Sequence, residues 1–220
     1  MTRIDRDAWP AAAVAAVPAL LAAAGGHRRL ALGLGALPVA VAAFFRDPDR
    51  LPDHAQLGDD VVLASADGRV MYAGPAQPGV APDGDWLQVS IFLSVLDVHI
   101  NRAPYGGRVT EVTYRPGRWL AAYRAESATE NERSEITVER TVDGATRTVV
   151  FRQIVGLLAR RVVTRVRPGE EVSAGQRIGL MRFGSRMDVF VPPDADLEVG
   201  EGDRTTAGET VIARWGRPDS

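Results

Sequence analysis

Two apolar runs open the chain. Residues 8–24 are Ala-rich and carry Trp9, Val14, Val17, Leu20 and Leu21, and residues 30–45 run from Leu30 to Phe45. Gly25-Gly26-His27-Arg28-Arg29 separates them, Arg3 and Arg6 precede the first, and Arg46 follows the second. Continuous apolar stretches of this length predict helices, and the Gly pair predicts a turn, so residues 1–45 read as an apolar helical hairpin. A full bilayer span needs about 20 apolar residues. Each run falls slightly short of that, and Pro18 and Pro38 would kink them. Three arrangements satisfy the pattern: a hairpin that dips into one leaflet or barely spans, a cleaved leader with Ala22-Ala23-Ala24 as its processing site, or two Ala-rich helices packed on a soluble domain. Asp5 and Asp7 in the would-be basic leader, and the second run that follows at once, weigh against the leader.

Residues 46–60 are a Pro/Asp-rich linker. Beyond it the pattern changes to short segments rich in Val, Ile and Thr, broken by Gly, Pro and Asp. Val61–Ala64, Gly68–Ala73, Trp86–Phe92, Gly107–Tyr114, Ser134–Arg140, Thr146–Gly156, Val162–Val166 and Arg177–Met181 all read as strands. Trp119–Glu130 reads as a short helix or an ordered loop. The expectation is a mainly β protein, with N-terminal apolar helices followed by a β-sandwich or barrel-like core over residues 61–220.

The C-terminal part contains a repeat. Val166, Gly169, Glu170, Ala174, Gly175 and Ile178 recur 33 residues later as Val199, Gly202, Asp203, Ala207, Gly208 and Val211. The pattern is similar to the flattened β-sandwich of biotinyl and lipoyl carrier domains, which place a Lys at the hairpin tip between the two halves. Here that region reads Phe183-Gly184-Ser185-Arg186, and the chain contains no Lys. A carrier function is therefore excluded, as are an internal Schiff base to pyridoxal phosphate and a Walker-type phosphate loop. The formal charge of −2 gives no global field for nucleic acid, and the absence of Cys removes thiol catalysis, disulfides and Cys-based metal sites. His27, His54 and His99 are dispersed, without partners at metal-ligand spacing.

Three segments can carry chemistry. In Gly184-Ser185 a hydroxyl stands beside the carbonyl of a residue with no Cβ. Taken by itself the pair is a turn; attack of the hydroxyl on that carbonyl would convert the peptide bond to an ester, and β-elimination would then leave dehydroalanine, which hydrolyses to a pyruvoyl group and ammonia. Asp97-Val-His99-Ile-Asn101-Arg102-Ala-Pro104 follows the strand around Ile91 and sets a proton carrier at a strand end. Asp67-Gly68 closes Ala64-Ser-Ala, and taken by itself is a hairpin turn.

Together these segments, in this order, resemble the phosphatidylserine decarboxylases, in particular their short, archaeal-type subfamily. Asn131-Glu132-Arg133 and Gln153-Ile-Val-Gly156-Leu-Leu-Ala-Arg160-Arg161 extend the resemblance over most of residues 44–213. It implies a proenzyme that cleaves itself between Gly184 and Ser185 into a β chain (1–184) and an α chain (185–220), whose covalent cofactor is a pyruvoyl group made from Ser185. It implies His99 as the base for that cleavage or as proton donor in turnover, and Asp67 as the carboxylate that orients His99; Asp97 is nearer in sequence. Longer members have a second His where this chain has Arg102. Arg133, Arg124 and Asn131 are the expected substrate-binding residues, at the mouth of the site.

The implied reaction joins the substrate amine to the pyruvoyl ketone in a Schiff base, releases CO2 and yields the ethanolamine headgroup. The implied partners are an anionic phospholipid and a membrane surface, with a heterodimer of the two self-cleaved chains or a higher oligomer, and the implied location is the cell membrane, peripheral or shallowly inserted, with a cytoplasmic catalytic domain. Two alternatives stay open: the same chemistry on a lipid with isoprenoid tails (archaetidylserine), and a non-catalytic membrane-tethered β-domain adaptor.

Overall fold

The computed structural model describes residues 2–50, 58–157, 161–182 and 184–216. His54 and Phe183 lie outside them. The chain divides into two compact units, Met1–Asp49 and Arg50–Ser220.

The first unit runs β1 (Thr2–Ile4), α1 (Ala8–Ala24), α2 (Arg28–Leu34), α3 (Ala36–Phe44) and β2 (Arg46–Pro48). β1 pairs antiparallel with β2, and α1 packs against α2 and α3. Both apolar runs are helical. The second breaks at Gly35, and Pro38 falls in the first turn of α3, where its missing N–H is not needed. Among the described residues no helix is long and apolar enough to cross a membrane. Trp9, Val14, Leu20, Leu21, Leu32 and Val39 are exposed.

The second unit is mainly β. In chain order it holds β3 (Val61–Leu63), β4 (Gly68–Pro75), β5 (Leu87–Leu93), β6 (Ile100–Arg102), β7 (Gly107–Arg115), α4 (Ser127–Glu130), β8 (Arg133–Val142), β9 (Ala145–Ile154) and β10 (Val162–Thr164). It continues with β11 (Glu171–Val172), β12 (Arg177–Met181), β13 (Ser185–Val191), β14 (Ala195–Leu197), β15 (Arg204–Thr205) and β16 (Val211–Trp215). An eight-stranded sheet, order β11-β7-β8-β9-β13-β5-β4-β15, curls into a half-barrel, accompanied by the small sheets β10-β12-β6 and β14-β16-β3. Val89, Ile91, Ile136, Phe151, Met187 and Val189 fill its core. By the alternation of a strand, Arg186, Asp188 and Phe190 then occupy the other face of β13. That face is buried as well: Val80 and Ala128 pack over Val150 and Phe190.

The repeat has a backbone counterpart. Gly169 and Gly202 adopt φ +91° and +94°, and Gly175 and Gly208 adopt +78° and +76°. The amide of Gly169 donates to Val109 O and that of Gly202 to Val70 O; those of Gly175 and Gly208 donate to Ala103 O and Ala64 O. Each copy thus docks on a strand of the large sheet in the same way and supplies one of its edge strands, β11 on β7 and β15 on β4.

The strands expected from the pattern are present with ends shifted by a few residues, and Trp119–Glu130 is loop except for α4. The pattern missed β13, the strand that begins at Ser185.

Candidate active site

The register of the large sheet gathers the chemistry at one end. β5 lies between β4 and β13, with Ser185 opposite Leu93 and Arg69 opposite Phe92. β4 and β13 therefore both start where β5 ends. On the other side Arg186 faces Ile154 at the end of β9, and Ile154 faces Arg133 at the start of β8. Asp67-Gly68, the segment leading to His99, Arg133 and Gly184-Ser185 thus meet one sheet end.

At its centre is the Gly184–Ser185 peptide. Ser185 is fully buried, and its Oγ has no hydrogen-bond partner among the described residues. Gly184 holds φ +66°, in the left-handed region that an L side chain would strain. The amide of Gly184 donates to Nε2 of His99 at 3.3 Å, while His99 Nδ1 lies 2.9 Å from the carbonyl oxygen of Asp97. An Nε2 that accepts leaves Nδ1 as the protonated nitrogen, donating to Asp97 O. This buried ring (2% exposed) therefore turns its basic nitrogen to the amide of Gly184, the residue whose carbonyl precedes Ser185.

The carbonyl of Gly184 has its own neighbour. A Cβ added at Gly156 would overlap that oxygen, with the Ala122 methyl just behind. Gly156 lies two residues past the end of β9 and lets the chain pass against the carbonyl of the peptide that would be attacked. The sequence reading took its segment as core strand and missed this role; the usable signal was a Gly at the end of a β-branched run.

Asp67 is placed differently from the expectation that it orients His99. Its hydrogen bonds go to the Arg50 guanidinium, in a two-pronged pair, and to the amide of Ala207 at 2.9 Å. Asp97 is bound to Ser94, through its amide (2.8 Å) and hydroxyl (2.6 Å), and to Arg204 at 3.0 Å. On Nδ1 of His99 lies the Asp97 backbone carbonyl, which sequence cannot flag.

The expected substrate residues separate. Asn131 is buried and clamps the loop before it, with Nδ2 donating to Leu120 O and Val155 O, and Oδ1 accepting from the Leu120 amide. Arg124 is exposed, 3.5 Å from Glu126. Arg133 is half-buried and donates to the carbonyls of Thr129 and Asn131. Burial, then the neighbouring Arg152 and Arg115 guanidiniums, lower its pKa from the ordinary Arg value.

The family model for phosphatidylserine decarboxylase matches residues 39–213. The chain belongs to the phosphatidylserine decarboxylase family. It is 44% identical over 202 residues to the phosphatidylserine decarboxylase proenzyme of Solibacter usitatus, covering 89% of this chain and 91% of that protein. It is 42% identical over 211 residues to the proenzyme of Burkholderia pseudomallei, covering 96% and 94%. The proenzyme of Pelobacter propionicus is 46% identical over 174 residues, 79% and 76% of the two chains. Membership of the phosphatidylserine decarboxylase family makes this chain an enzyme of the carboxy-lyase class.

Proposed function

We propose that this protein converts phosphatidylserine to phosphatidylethanolamine and CO2 after cleaving itself between Gly184 and Ser185. The observation that carries this reading is the buried, unpartnered Ser185 Oγ next in the chain to a glycine carbonyl, with the basic nitrogen of His99 on the amide of that same glycine. A buried hydroxyl without a partner costs folding free energy, about 1–3 kcal/mol. Such a cost is expected where the group is kept for chemistry.

In maturation His99 takes the Ser185 hydroxyl proton, and Oγ attacks the Gly184 carbonyl carbon. The C–N bond breaks as the nitrogen of residue 185 gains a proton, which leaves an ester. Loss of the α-proton and cleavage of the Cβ–Oγ bond release Gly184 as a carboxylate. Tautomerisation and addition of water replace the nitrogen by a ketone oxygen and free ammonia. The residues fit a pyruvoyl group at position 185: a serine that heads a strand, preceded by a glycine in a conformation other residues resist. When formed, the group supplies a ketone for the substrate amine and an electron sink for the pair left by CO2. His99, held by Asp97 O, is then the nearby proton donor. Asp67 is the carboxylate we assign to steadying its charged form, once freed from Arg50. Arg133 and Arg124, at the same sheet end, are candidates for headgroup contacts, whereas the clamp made by Asn131 supports a positioning role.

The apolar helices of the first unit favour a membrane-associating role for residues 1–45, with a peripheral or shallow seat on the cell membrane. Intact-mass analysis under denaturing conditions tests the reading. Two chains divided between Gly184 and Ser185, the smaller blocked at its N-terminus, are expected, and Ser185→Ala should abolish both division and CO2 release. A single intact chain from protein that releases CO2 would overturn it.

A further inference from the structure

Arg186, the residue after Ser185, turns to the opposite face of β13 and is buried, 2% exposed. Its Nε donates to Asp188 at 2.7 Å and its Nη2 to Ser90 Oγ at 3.1 Å. Among the described residues its Nη1 has no partner. Ser90, fully buried on β5, is in a matching state. Gln88 Oε1 accepts from the Gln77 amide, which fixes Gln88 Nε2 as donor to Ser90 Oγ at 2.9 Å. With two donors directed at its oxygen, the Ser90 hydroxyl has its own proton left to give, and no acceptor for it is found among the described residues.

Both groups line one cavity of about 140 Å³, walled by Met71, Tyr72, Gln77 and Tyr123. Asp188 is not part of that lining. Further along the same face, Arg152 and Arg133 stand with Glu135, so that cations outnumber carboxylates in this strip. A guanidinium Nη1 and a serine hydroxyl proton without acceptors line this polar cavity beside excess positive charge; the buried Asp188 Oδ2 also lacks a partner but stands outside the lining, so the cavity calls for an anion.

We propose that this cavity is an anion subsite in which Arg186 Nη1 and the Ser90 hydroxyl bind the phosphodiester of the lipid headgroup. The inference rests on the function proposed above. Residues 185 and 186 are adjacent, with Cα atoms about 3.8 Å apart. In a phosphoserine headgroup the phosphorus is four bonds from the amine nitrogen, so an amine held at position 185 leaves the phosphate near residue 186. The phosphate suits this arginine better than the carboxylate does. The carboxylate must lose its charge as CO2 departs, and a guanidinium paired with it would stabilise the ground state over the transition state. The phosphate keeps its charge throughout.

The test uses the full chain and two soluble probes, glycerophosphoserine and inorganic phosphate, in equilibrium binding. Arg186→Gln combined with Asp188→Asn neutralises both partners of the buried pair. Ala125→Phe narrows the cavity from its exposed rim without changing charge, and carries the test if the double variant does not fold. Both variants are expected to weaken glycerophosphoserine binding about ten- to a hundred-fold, with inorganic phosphate competing in the wild type. Unchanged glycerophosphoserine binding in the folded variants would overturn the subsite. Binding of inorganic phosphate without glycerophosphoserine would overturn its assignment to a headgroup. Chain division and CO2 release, measured separately on the wild type, decide the proposed function independently of both outcomes.

Discussion

At the scale of single residues, the chemistry depends on where one carbonyl and one lone pair point. His99 presents Nε2 because Asp97 O occupies Nδ1. Replacing His99 by Gln keeps a polar side chain there but removes the base, so self-division should slow about 10²- to 10⁴-fold, followed by gel over time. Gly156 makes a second, independent point. A methyl at this position has no room against the Gly184 oxygen, and the carbonyl must shift away from its neighbours. Gly156→Ala is therefore expected to stop chain division, at a stability cost of about 1–3 kcal/mol from overpacking. The adjacent Leu157→Ala, at an exposed side chain, should leave division unchanged. If Gly156→Ala divides at the wild-type rate, the contact with the scissile carbonyl has no bearing on maturation.

At the scale of elements, β13 shows what sequence patterning can and cannot deliver. Segments such as Gly107–Tyr114 and Ser134–Arg140 were legible because one face is apolar and the other faces water, which produces alternation. β13 is buried on both faces, yet carries Arg186 and Asp188, residues that ordinarily mark exposure. They are tolerated because they neutralise each other two residues apart on one face; that this face is covered is a tertiary fact without a local signature. The repeat and the Asp67-Gly68, His99 and Gly184-Ser185 segments were legible for the opposite reason: each is written in consecutive residues. The Gly156 contact and the Asp97 carbonyl were not, since a bare backbone group looks the same in any sequence. Asp188→Ala should then destabilise the protein by about 3–5 kcal/mol in urea unfolding, because it leaves Arg186 buried without its counter-charge. The apolar pair Arg186→Met with Asp188→Leu should recover most of that loss. No recovery would mean that Asp188 acts through contacts other than the ion pair.

At the scale of the whole molecule, two apolar surfaces remain that folding in water does not account for. In the first unit Trp9, Val14, Leu20 and Leu21 on α1 are all 63% exposed or more. In the second unit Leu96, Tyr123 and Leu157 are more than 60% exposed, and each adjoins a part of the site. Leu96 lies in the turn before His99, Tyr123 follows Ala122 and meets the edge of Phe92, and Leu157 follows Gly156. Exposed apolar side chains beside a site suit an interaction surface, and under the function proposed above the partner that fits is the lipid itself. The two surfaces can be separated by experiment. Full burial of a leucine contributes about 1.5–3 kcal/mol, so Leu20→Gln with Leu21→Gln should lower the fraction sedimenting with phosphatidylserine-containing vesicles at least about tenfold in partition coefficient. Leu96→Gln with Leu157→Gln should instead reduce turnover of vesicle lipid while leaving glycerophosphoserine turnover at the wild-type rate, since the soluble headgroup needs no bilayer contact. Equal losses on both substrates would place Leu96 and Leu157 in the folding of the site, and unchanged sedimentation of the α1 variant would remove the first unit from membrane attachment.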